Sequence, residues 1–203
     1  MATTDFAQRS GEAARTRIVE VAFEHFAQHG FRGGSLAKIA AEAGISQSGL
    51  LHHFPSKAAL LQAVLGARDL QDLQATGTRP EDLQSMTFED LLTFLTRVIA
   101  NNENNRNVIR LAHLTAAEAT GPNHPAFEWV TLRLAFMRSV MESAVRRGIE
   151  QGQVRADAEV PQIAGLIIAV IDGLESQWLI DPSIDMSVTF AHYCNDLRRS
   201  LTP

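Results

Sequence analysis

From Glu12 to Leu201 apolar residues return every three or four positions, and no stretch alternates apolar and polar long enough to make a strand. A chain patterned this way buries its apolar stripes by packing helix on helix, so the expected fold class is all-α. Gly, Pro and Asn clusters punctuate the pattern at Gly30–Gly34, Gly44, Pro55, Thr76–Pro80, Gly121–Pro125, Gly148–Asp157 and Asp181–Pro182. They leave about nine helices, expected near 12–29, 35–43, 46–54, from 56, 87–101, 104–119, 124–151, 159–180 and 184–201. The 124–151 segment carries two stripes. One is Phe127, Val130, Leu134, Met137, Met141 and Val145; the other is Trp129, Leu132, Phe136 and Val140, so burial on more than one side is expected.

Composition narrows the function classes. With 45% apolar and 20% charged residues in 203, the chain is globular rather than disordered. Its one cysteine, Cys194, allows no intrachain disulfide and points to a reducing compartment, so a cytoplasmic location is expected. The longest apolar run, Ile163–Ile171, is far short of the roughly 20 residues of a membrane span, so no membrane partner is expected. The opening MATTDFAQRSGE lacks the apolar core of a secretory signal. Seven histidines come with no metal-ligand spacing, Gly-rich phosphate loop or nucleophile motif, so an enzyme, a metal and a cofactor are all unexpected.

The densest chemical signal runs from Ser35 to Leu50. Ser35 and Ser46 are good N-caps, and Gly44 supplies the positive φ of a tight turn. Ala40 is small enough for two short helices to approach, while Ile39, Ile45 and Leu50 plug the corner. The pattern fits a helix-turn-helix whose second helix enters the DNA major groove; a plain αα-hairpin is the alternative. Polarity favours the first, since Gln47, Ser48, Gly49 and His52 project opposite Leu50 and Phe54. Charge leans the same way: residues 1–57 carry six Lys/Arg against five Asp/Glu, whereas 58–203 carry twelve against eighteen. These boundaries divide the chain into a DNA-binding domain (1–57) and a helical domain (58–203), to which the resemblance described next assigns effector binding and dimerisation.

The segment from Arg15 to Leu61 resembles the N-terminal domain of the TetR family of bacterial transcriptional regulators. The resemblance rests on Arg17-Ile18-Val19-Glu20-Val21-Ala22, Gly30-Phe31, Ile39-Ala40-Ala41-Glu42-Ala43-Gly44-Ile45-Ser46 and Leu50-Leu51-His52-His53-Phe54-Pro55-Ser56-Lys57. It implies a dimeric repressor on a palindromic double-stranded DNA operator, released by a small-molecule effector. An activator, or a regulator without a ligand, is left open. Gln47, Ser48 and His52 are the candidates for base edges, and Ser35, Lys38, His53 and Lys57 for phosphates. Lys57 as a solvated charge and His53 as a satisfied surface histidine are the plainer alternatives. Two positions depart from the family pattern: Leu51 replaces the usual phosphate-binding aromatic, and Gly49 the usual Thr or Ser.

The resemblance also implies an effector cavity in the second domain. Its expected wall includes Phe88, Leu92, His113, Phe127, Leu134, Met137 and Trp178, with Asp172 and Glu175 as polar members. Trp178 near Glu175 suits a cationic ligand; alternatively the two carboxylates bond an internal Arg133 or Arg110. The stretch Gly173-Leu174 to Trp178-Leu179, with Asp181-Pro182 and Ile184-Asp185, resembles a branch of the family that includes choline-responsive regulators of betaine synthesis. A homodimer is expected through the last two helices, by Ile163, Ile167, Val170, Phe190, Cys194, Leu197 and Leu201, unless these stripes bury within one chain. A third class, a redox sensor through Cys194, conflicts with the place of that thiol on an apolar stripe.

Overall fold

The computed structural model describes residues 2–203, with the side chains of 11–70 and 73–203. Among them it contains ten α-helices and no strand. They are α1 (Ala2–Gly33), α2 (Leu36–Glu42), α3 (Gln47–His53), α4 (Lys57–Thr76), α5 (Pro80–Leu83), α6 (Phe88–Asn102), α7 (Arg106–Glu118), α8 (Phe127–Glu150), α9 (Val160–Ile180) and α10 (Met186–Leu201). Inside α1 the backbone leaves the helix at Gly30, at φ 67° and ψ −178°, so the break expected there is present and 31–33 form a separate turn.

Local chemistry accounts for most ends. The hydroxyl of Ser35 accepts from the Lys38 N–H, that of Ser46 from Gly49 and that of Ser56 from Ala59, each satisfying an open amide of a helix first turn. Thr87 and Asp90 close a reciprocal capping box on α6, and Asp185 caps α10. The unforeseen α5 has Pro80 at its first position, where a missing N–H costs nothing. Arg79 forks onto Asp82 at 2.8 Å across this single turn.

The chain divides into two compact units, Met1–Leu70 with Arg110–Val130, and Gln71–Ile109 with Thr131–Pro203. The first is packed around Ile18, Phe26, Ile39, Leu50, Phe54, Leu61 and Leu65, joined by Leu111, Ala119 and Ala126 from the later segment. The second is packed around Phe88, Leu92, Ile99, Val145, Ile167, Ile171, Trp178 and Phe190.

Two expectations about the long helices change. The second stripe of α8 is not a buried face: Leu132 and Phe136 are 62% and 47% exposed, and only Val140 at its end is buried. Apolar spacing identifies a helix face without saying whether anything covers it. In α9, length and composition alone would allow a membrane crossing, although its longest unbroken apolar run is short. Ile163, Ala164, Ile167, Ile168, Ile171, Leu174, Glu175 and Trp178 are nevertheless buried within the unit.

Candidate nucleic-acid interface

The turn between α2 and α3 is built as the residues suggest. Gly44 has φ 72°, a conformation L side chains rarely adopt, and the amide of Ile45 closes the turn onto the Ala40 carbonyl at 3.0 Å. Ala40 is buried, as close helix approach requires, and Ile39 and Leu50 are buried in the corner. Leu50 anchors α3, so Gln47, Ser48, Leu51 and His52 all lie on exposed surface. Ser48 shares a 3.0 Å hydrogen bond with the cap hydroxyl of Ser46. Gly49 is half-buried against the same hydroxyl; a Cβ there would approach the Ser46 oxygen to 3.3 Å. The family's Thr or Ser is therefore replaced where the N-cap crowds the helix.

Lys38 and Lys57 are the only lysines of the chain, and both lie in this region. Lys38 is exposed on α2 next to its cap Ser35, itself half-buried. Lys57 is committed inward: its Nζ donates to the carbonyls of Gly34 (3.0 Å) and Arg32 (3.4 Å) and sits 4.6 Å from the Phe31 ring centroid. His53 is half-buried, its carbonyl accepting from the guanidinium of Arg15, which also lies 4.2 Å over the Phe54 ring. Arg15 thus ties α1 to the end of α3.

His25 escaped the sequence reading. It is buried, and its Nε2 accepts from the Ser35 amide at 3.2 Å, so the unprotonated nitrogen faces the start of α2. Its pKa is lowered chiefly by burial, then by neighbouring His29, with Lys38 and Lys57 adding and Glu42 opposing. Only a third-turn periodicity on α1 hinted that this histidine faces inward.

Glu118 was also missed, being 87 positions from its partner: its carboxylate accepts from the Phe31 amide at 2.8 Å. Nothing short-range marks such a pairing.

The remaining candidates distribute over both units. Among the cavity residues, His113 and Phe127 belong to the first unit, and Phe88, Leu92, Leu134, Met137, Asp172, Glu175 and Trp178 to the second. Phe88 and Leu92 are core; Leu134 and Asp172 are exposed; Met137 is half-buried. Glu175 is buried and accepts from the Asn102 side-chain amide at 2.7 Å. The Trp178 ring already has a cation over it, the Arg106 guanidinium at 5.2 Å, held by the Leu179 carbonyl. Of the residues assigned to a dimer surface, Ile163, Ile167, Phe190, Cys194 and Leu201 are buried in the second unit's own core, with Val170 and Leu197 half-buried. Burial raises the Cys194 thiol pKa, so the thiolate that oxidation requires is disfavoured.

A two-helix corner with an exposed polar second helix defines the N-terminal part as a helix-turn-helix domain. Residues 18–64 match the model of the bacterial regulatory proteins of the tetR family. The chain is similar to the HTH-type transcriptional regulator UidR of Escherichia coli, 36% identical over 89 residues, 43% of each chain. The chain thus spans less than half the length of this curated relative. Its fold is similar to that of NalD, the secondary repressor of the MexAB-OprM multidrug efflux pump in Pseudomonas aeruginosa. There the TM-score is 0.75 and the identity 22%, over 96% of this chain and 98% of that one. SmeT in its complex with triclosan gives a TM-score of 0.74 at 21% identity, over 93% and 90%.

Proposed function

We propose that the protein is a cytoplasmic transcriptional repressor that binds a palindromic operator as a homodimer and leaves it when a small effector binds. The observation that carries the DNA reading is α3, capped by Ser46 and anchored by Leu50, with Gln47, Ser48 and His52 exposed together. A glutamine at the start of such a helix suits bidentate pairing with adenine, and serine accepts either base. Leu51, also exposed, suits a thymine methyl, and Gly49 lets the N-cap close; Ser35, Lys38 and His53 flank the helix as phosphate contacts. Lys57 has two carbonyl partners and an ammonium with three donors, so it retains one N–H for a phosphate.

A two-fold dimer supplies two such helices about 34 Å apart, one DNA turn. The sequence-assigned surface is revised toward the exposed sides of the same two helices: Leu166 and Ile180 on α9 and Val188 on α10, with half-buried Val170 and Leu197 beside them. The effector reading draws support from the efflux-pump repressors of similar fold. A ligand releases the operator only if it binds one conformational state more tightly than the other.

Selection of bound duplexes from a randomised pool tests the proposal. Enrichment of a palindrome is expected, and no enrichment by folded protein overturns it. On the selected operator, Gln47→Ala is expected to cost about 1–3 kcal/mol and to relax one base position.

A further inference from the structure

We infer that Glu118, at the end of α7, is a positioning residue for DNA reading: its carboxylate locks the turn that launches the helix-turn-helix. The inference rests on the DNA-binding function proposed above and assigns a residue outside the reading helices.

The turn 30–34 joins α1 to Ser35, the cap of α2. One backbone bond, from the Gly34 N–H to the Phe31 carbonyl (3.2 Å), closes it, and side chains supply further ties. Glu118 accepts from the amides of both Phe31 (2.8 Å) and Arg32 (3.5 Å), the first two after the helix break at Gly30. The carboxylate occupies the space beside Gly30 so closely that a Cβ there would lie 2.6 Å from its Oε1. His124 lies beside it: its Nδ1 accepts from the Ala126 amide, and its Nε2 is 3.8 Å from the carboxylate, close enough for a charge–dipole contact but not a hydrogen bond. The imidazole also meets the Phe31 ring edge-on, centroids 5.1 Å apart. From the opposite side Lys57 takes the carbonyls of Arg32 and Gly34. The amides of the turn are thus bound by an anion and its carbonyls by a cation. Both bonds are charge-assisted and fix a backbone rather than a side chain.

A static carboxylate near a DNA-binding surface repels phosphates, so removing it should tighten binding if electrostatics alone acted. The positioning role has the opposite sign. With the turn unlocked, the head spends only a fraction of its time in the reading geometry, and the apparent Kd rises by the inverse of that fraction.

The test uses full-length protein on the operator selected from the random pool. Glu118→Ala is expected to raise Kd about tenfold with an unchanged salt slope, since no phosphate contact is lost. Glu118→Gln, which keeps one acceptor oxygen, is expected to recover part of this loss. The Phe31 amide proton, shifted downfield by a carboxylate acceptor, is expected to move upfield in both variants. Should Glu118→Ala unfold the protein, Glu118→Gln serves alone: it keeps the fold but loses the charge on the Phe31 and Arg32 amides, and a severalfold weaker affinity is expected. Equal or tighter operator binding by folded Glu118→Ala, or by Glu118→Gln where the alanine variant does not fold, overturns the inference. Failure of the wild-type protein to select any duplex overturns the DNA-binding reading instead.

Discussion

In the first unit four polar ties between segments run from side chains to main chain: Lys57 to two carbonyls, Glu118 to two amides, His25 to the Ser35 amide and Arg15 to the His53 carbonyl. The second unit adds pairs between side chains far apart in sequence: Asn102 with Glu175, Arg198 forked on Glu89, and Gln84 with Ser139. A tie to main chain fixes the shape of a short segment whatever side chains that segment carries. A pair of side chains instead selects one helix neighbour over another. The first arrangement suits a head whose exposed residues must be free to vary with the DNA they read. The second suits helices such as α9, apolar nearly all round in its first half, which would otherwise pack in several registers.

The largest expected effects come from each unit's buried rings. Phe26→Ala and Phe190→Ala each remove a fully buried ring and are expected to cost about 3–5 kcal/mol in urea unfolding. The first unit allows a sharper measurement, because a Cβ on Gly34 would lie 2.5 Å from the Phe26 ring. Gly34→Ala alone is expected to cost about 1–3 kcal/mol by overpacking, and much less once Phe26 is alanine. Additive costs in this double-mutant cycle would show that the turn does not rest on the ring.

Two glycines with open space around them separate backbone from packing. A Cβ at Gly44 or Gly66 meets nothing within 4 Å, yet Gly44 has φ 72° whereas Gly66 lies inside α4. Gly44→Ala is expected to destabilise by about 1–2 kcal/mol. Gly66→Ala is expected to stabilise by roughly 0.5–1 kcal/mol through helix propensity. Matching signs in thermal melts would contradict the positive-φ account of the α2–α3 turn.

Signals of this local kind are what made the head legible. Ser35, Ser46 and Ser56 cap the helices they precede, Gly30 and Gly44 break where expected, and the polarity of α3 matches its exposure. The same reasoning missed the long-range half of the site. Glu118 reads as an ordinary helix-end carboxylate until the fold brings it to Phe31, and Lys57, a phosphate candidate by sequence, shows its ties to the turn only once its carbonyl partners are in view. In the second unit the helices were legible but their faces were not. Ile167 and Leu166 are neighbours of like chemistry, one fully buried and the other 60% exposed. Asn102, in an Asn-rich stretch resembling a loop, is buried at the end of α6 against Glu175. Periodicity reports that a residue lies on a helix; only the set of neighbouring helices decides which side is inside.

His25 gives a smaller, pH-dependent contrast. Its folded pKa is lowered from 6.5, mainly by burial, so folding favours the neutral ring that accepts from Ser35. The unfolded chain therefore binds this proton first as pH falls. The contribution is present above about pH 6.5 and is lost as pH drops from there toward the lowered folded value. His25→Gln keeps an acceptor for the Ser35 amide but cannot titrate. Its melting temperature is expected to fall less than that of the wild type between pH 7.5 and 5.5, and parallel profiles would remove His25 from the account.

The smallest effects are expected on the exposed apolar side of α8. Leu132 and Phe136 lie on the solvent side of the second unit, whereas Met141, five residues beyond Phe136, is buried. Leu132→Ser and Phe136→Ser are expected to change stability by less than about 0.5 kcal/mol, against 2–5 kcal/mol for Met141→Ala. The proposed dimer uses the outer sides of α9 and α10, so the small effect on α8 should hold at every protein concentration. A large destabilisation by Phe136→Ser that appears only in concentrated protein would show that a second subunit covers this face as well. The dimer surface would then extend onto α8.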